Sequence, residues 1–111
     1  MRRRNGLPSD PMPSRQQVHT ELLLLAAQMR AARAVLGWSQ TELGKRAKVT
    51  QRAIYRLEKA AVRARHQTEL QINQAFKDAG VEFLELPNGG FEMIVPSQLV
   101  TNSARKSDAR T

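Results

Sequence analysis

The sequence predicts a mainly α fold: a compact four-helix domain, a C-terminal β-hairpin, and disordered ends. Three observations carry this. Apolar residues recur at helical spacing from Leu25 to Ala79. Cap residues divide that stretch, with Ser14, Ser39 and Thr50 as starts and Gly37 and Gly80 as stops. After Gly80 the period falls from 3.6 to 2, and Asn88-Gly89 lies between two β-rich runs. The boundaries read as 1–13 for a disordered basic arm, 14–80 for the helical domain, 81–96 for the hairpin and 97–111 for a disordered tail.

Residues 1–13 hold three Pro, a Gly and an Arg triplet, a composition that does not order itself. Ser14 and Gln17 have capping-box spacing, and Thr20 is a second possible cap. From there to Leu36 the chain is rich in Leu, Ala, Met and Arg, with Leu25, Met29, Ala32 and Leu36 on one stripe. Gly37 closes this first helix. Ser39 opens the second, with Glu42 as its capping-box partner and Leu43 and Ala47 inward. Thr50 caps a third helix reaching about Lys59. The stretch 60–65 reads as a loop, and a fourth helix runs from about Gln67 to Ala79. Its buried face carries Ile72, Ala75, Phe76 and Ala79.

Composition narrows the function. The chain has 111 residues, no cysteine and a net charge of +8. A disulfide framework, a thiolate metal site and a cysteine nucleophile are excluded. The basic start lacks the apolar run of a signal peptide, and "LLLLAA" is too short to span a membrane. A cytoplasmic location is therefore expected. From Gln28 to His66 there are ten Lys/Arg against two Glu, whereas from Gln67 to Val100 one Lys faces five acids. A basic block followed by an acidic block suggests a polyanion-binding face and a second face for another partner.

The third helix shows what the basic block is for. At roughly 100° per residue, Ala53, Ile54 and Leu57 share one arc with Glu58 at its edge. Gln51, Arg52, Tyr55 and Arg56 share the opposite arc. Guanidinium and amide groups match base edges, Arg to guanine and Gln to adenine. A helix N-terminus favours phosphate.

This pattern resembles the lambda-repressor-like, or Xre/Cro-type, helix-turn-helix of bacterial and phage transcriptional regulators. Arg33, Leu36, Gly37, Ser39-Gln40, Glu42-Leu43, Ala47, Val49-Thr50, Ile54, Leu57 and Glu58 carry the resemblance, which covers about half of the chain. The resemblance implies that Gln40 contacts a phosphate and braces the recognition helix, and that Thr50 caps it close to the DNA backbone. Ser39, Arg46 and Lys48 join the phosphate contacts. Gln51, Arg52 and Arg56 take the base-reading positions, with Tyr55 either on DNA or merely covering surface. Arg33 and Glu58 form an interior ion pair. Three departures stand out: Lys48 replaces the usual turn Gly, Gly44 replaces a small Ala, and Glu69 stands where Leu is common.

The expected function is a sequence-specific regulator of transcription that binds double-stranded DNA, as a homodimer on half-sites. The alternative is a protein-binding regulator, an antiactivator or antitoxin, reusing the fold. Paired carboxylates, a nucleophile–base set and a phosphate-cradling Gly loop do not appear, so no enzyme and no cofactor is expected. His19 and His66 have no metal-spaced partner and read as surface residues. Trp38 reads as packing, and Arg2, Arg3 and Arg4 as either a DNA arm or a solvated tail. The hairpin is the expected dimer or partner element. A two-residue tip at Asn88-Gly89 would set Leu86 against Phe91, Leu84 against Met93 and Phe83 against Ile94, leaving two apolar faces. The leucines at 22–25 are the competing interface.

Overall fold

The structure, a computed structural model, describes residues 14–100. The expected arm at 1–13, with Arg2, Arg3 and Arg4, lies outside the described residues, as do residues 101–111. The molecule is mainly helical with a two-stranded antiparallel hairpin. The order is α1 (Arg15–Leu36), α2 (Gln40–Ala47), α3 (Gln51–Glu58), α4 (His66–Asp78), β1 (Glu82–Glu85) and β2 (Phe91–Ile94). A fifth helical segment occupies residues 97–100.

Local chemistry sets the helix ends. The Ser14 hydroxyl accepts the Gln17 N–H, and the Gln17 side chain accepts the Ser14 N–H, so Ser14 and not Thr20 starts α1. Gly37 ends it in the left-handed region at φ 70°. Ser39 caps α2 by accepting the Glu42 N–H at 2.9 Å. The second half of that expected capping box is missing, because the Glu42 carboxylate accepts from Arg46 Nε at 2.7 Å instead. Thr50 caps α3 through the Ala53 N–H.

Between α2 and α3 the chain turns sharply. Lys48 takes φ 60° and ψ 44°, the left-handed conformation that Gly adopts at less cost. Val49 then donates its N–H to the Gly44 carbonyl at 2.9 Å. A Cβ on Gly44 would lie 2.6 Å from the Val49 carbonyl oxygen, a backbone atom that the turn holds in place. The absence of a side chain at 44 is what allows the two helices to meet here, so even the expected Ala would be too large.

Met29, Ala32, Leu43, Ala47, Ile54, Leu57, Ile72, Ala75, Phe76 and Val81 form one core shared by all four helices and the start of the hairpin. Trp38 stacks on Phe76 at 6.0 Å between ring centroids. Phe76 meets Phe83 edge-on at 6.2 Å. These contacts fix α4 with Phe76 inward, leaving Leu70 49% exposed and Glu69 half-buried.

The hairpin register differs from the expected one by a single residue. Observed partners are Glu82 with Ile94, Phe83 with Met93, Leu84 with Glu92 and Glu85 with Phe91. The cause lies in the loop. Pro87 follows Leu86, and the Gly89 N–H closes a turn onto the Leu86 carbonyl at 3.0 Å. Gly89 adopts φ 89°, and Leu86 and Gly90 form the closing pair. This is a three-residue loop with a bulge glycine rather than a two-residue Asn-Gly turn. A slip of one exchanges faces. Phe83 and Met93 therefore pack together on the core, while Leu84 and Ile94 share the outer face with Glu82 and Glu92.

The tail does not begin at residue 97. Leu99 returns to pack against the core, beside Gly80 and Pro96. Gly80, at φ 100°, has no side chain to obstruct it. Among the described residues no helix is long and apolar enough to cross a membrane.

Candidate nucleic-acid interface

The site begins with a buried charge. Glu58, at the end of α3, is 7% exposed. An isolated carboxylate there would be costly, so its oxygens must be paired. Arg33 of α1 supplies a two-pronged partner, Nε to Oε2 at 2.6 Å and Nη2 to Oε1 at 2.7 Å. Its remaining nitrogen, Nη1, donates to the Trp38 carbonyl at 2.9 Å. Hydrogen bonding to Glu58 raises the Arg33 pKa above the usual arginine value, against burial, which lowers it.

From Glu58 the network runs outward. Gln40 Nε2 donates to Glu58 Oε1 at 3.2 Å, and Gln51 Nε2 donates to Gln40 Oε1 at 2.8 Å. A chain of four side chains thus joins α1, the first residue of α2, and both ends of α3. Arg30 adds a bond that the sequence did not signal, from Nη1 to the Glu58 carbonyl at 2.8 Å. That carbonyl is one of the unsatisfied acceptors at the end of α3, and a cation suits the negative end of a helix dipole. Gln71 of α4 similarly donates to the Ala47 carbonyl at the end of α2. Neither bond has a spacing signature, since each partner is a backbone atom distant in sequence.

With its inner face fixed, α3 presents Gln51, Arg52, Tyr55 and Arg56 to solvent. Among the described residues, Arg52, Arg56 and Lys48 make no side-chain hydrogen bond or ion pair. Tyr55 is 46% exposed, and the Lys59 ammonium lies 5.2 Å from its ring centre. Ser39, Gln40, Lys48 and Thr50 border this face at the starts of α2 and α3 and in the turn between them. Arg46, also expected at the phosphates, pairs with Glu42 and lies 4.5 Å over the Trp38 ring, with its side chain 52% exposed.

The six expected interface residues of the hairpin are divided by the register. Phe83 and Met93 face the core, and Phe91 meets Phe83 edge-on at 5.6 Å. Leu86 is half-buried at the loop. Only Leu84, at 49%, and Ile94, at 46%, are exposed large apolar groups.

Among the described residues no group of three or more His, Cys, Asp or Glu is placed to hold a metal. Neither a protein-family model nor a curated protein sequence matches the chain.

Proposed function

We propose that this protein is a transcriptional regulator that binds specific sites on double-stranded DNA through a lambda-repressor-like helix-turn-helix, with α3 as the recognition helix. One observation carries the proposal. Two unpaired guanidinium groups and an amide stand on the solvent face of a short helix whose opposite face is tied down by a buried ion pair. Arginine left without partners on a fixed helix is suited to forked hydrogen bonding with guanine. The major groove, about 12 Å wide, accommodates such a helix.

Gln40, Thr50 and Lys48 border that face, where phosphates pass a helix that enters the groove. They set position and orientation, and the arginines choose sequence. Two copies on half-sites about one helical turn apart would supply a longer site than one recognition helix can read. Exposed apolar groups for joining them include Leu84 and Ile94 on the outer hairpin face and Leu23, 49% exposed, on α1.

Fluorescence anisotropy of labelled duplex fragments tests the proposal. Binding should weaken linearly with the logarithm of salt, with a slope of about −0.9 per phosphate neutralised. A specific fragment should outcompete random duplex by at least about a thousandfold. Equal affinity for all duplexes, or none, would exclude the reading.

A further inference from the structure

The acidic half of the molecule contains a groove that the DNA-binding proposal does not use. One part, about 400 Å³, lies between α1, the loop at residues 63–64 and the hairpin tip. A second part, about 280 Å³, lies between α1, α4 and β1. Gln28, Glu69 and Glu85 line both, so the two parts of this channel adjoin. Carboxylates dominate it: Glu21, Glu69, Glu82 and Glu85, against Arg63 and Lys77. Arg63 is itself 3.6 Å from the Glu21 carboxylate. Leu25, Leu86 and Phe91 contribute apolar wall.

One side of the channel is an unpaired strand edge. Residues 81–85 all line the smaller part, and β2 lines none of it. Leu86 and Gly90 are a hydrogen-bonded pair, and such pairs alternate along an antiparallel ladder. Leu84 and Glu82 therefore bond to β2, while Phe83 and Glu85 turn their N–H and C=O groups to the open edge. Two donors and two acceptors at that spacing are a template for one more strand.

We propose that this channel binds an extended, basic segment of a partner protein, which adds as a third strand beside β1. Charge decides the occupant. The hairpin of a second copy would bring Glu82, Glu85 and Glu92 against the same carboxylates, and like charges facing each other across a sheet are unfavourable. A strand alternating Arg or Lys with apolar residues satisfies the edge, the carboxylates and the apolar wall together. The inference is independent of DNA reading by α3.

The test uses the full chain and three labelled octapeptides followed by anisotropy. One alternates arginine with valine, one replaces arginine with glutamate, and one keeps the arginines but carries N-methyl groups on every second amide. Only the first should bind well, with the other two weaker by at least tenfold. Glu69→Gln combined with Glu85→Gln should weaken it by a similar factor. Equal binding of the N-methylated peptide would reduce the effect to charge attraction and overturn strand addition. Equal binding of the glutamate peptide, or no binding of the arginine peptide, would overturn the proposal outright. So would displacement of a second copy, seen as a fall in mass by light scattering when the arginine peptide is added.

Discussion

Glu58 is the residue on which the site turns. Its carboxylate is buried at the end of α3 and accepts from Arg33 twice and from Gln40 once. Arg33→Ala should destabilise the fold by about 3–5 kcal/mol, because the carboxylate would remain buried without its cation. Glu58→Ala should also destabilise, and the double variant should lose less than the two single losses combined. Urea denaturation of the four proteins measures this, and strictly additive losses would mean that the residues do not act as a pair. The Arg33–Glu58 pairing was legible in the sequence through the resemblance, and the wheel separated the inward from the outward residues of α3. Arg30 was not legible, since it bonds a main-chain carbonyl. The contact of Arg46 with the Trp38 ring was not legible either, since the ring belongs to the loop before α2 and no spacing signals it.

At the scale of elements, the turn between α2 and α3 holds a strained residue. Lys48 holds a left-handed conformation at φ 60°. Lys48→Gly should therefore stabilise the fold by about 1 kcal/mol, and if Lys48 meets a phosphate as proposed, it should weaken DNA binding. Gly44→Ala should act oppositely on the fold. Its new methyl would meet the Val49 carbonyl, and a loss of about 1–3 kcal/mol is expected from overpacking. Thermal or urea unfolding distinguishes the two directions, and a neutral Gly44→Ala would show that the turn can relax. The starts of α1, α2 and α3 were legible because each cap is a local bond, whereas α4 begins after Arg65 with no side-chain cap. The hairpin was legible as an element, but its register was not. That depended on Pro87 drawing the turn to residues 87–89 rather than onto Asn88-Gly89 alone. The helical segment at residues 97–100 was missed, because Leu99 is held by contact with Gly80 and not by any periodic pattern.

Across the whole molecule, charge divides into two blocks. The basic block spans α2, α3 and their turn, and the acidic block spans α4 and the hairpin. If two copies join through the outer hairpin face, Leu84→Lys with Ile94→Lys should convert a dimer to a monomer in light scattering, whereas Leu23→Lys should not. The reverse result would assign the interface to α1. The central claim, that α3 reads bases, is tested most directly by binding-site selection from a random duplex library. Wild-type protein should enrich one motif. Arg52→Ala and Arg56→Ala should each lose preference at specific positions of it, at a cost of about 1–3 kcal/mol for the wild-type site. Gln40→Ala should weaken all sites without changing the motif. An unchanged motif from both arginine variants would contradict the account.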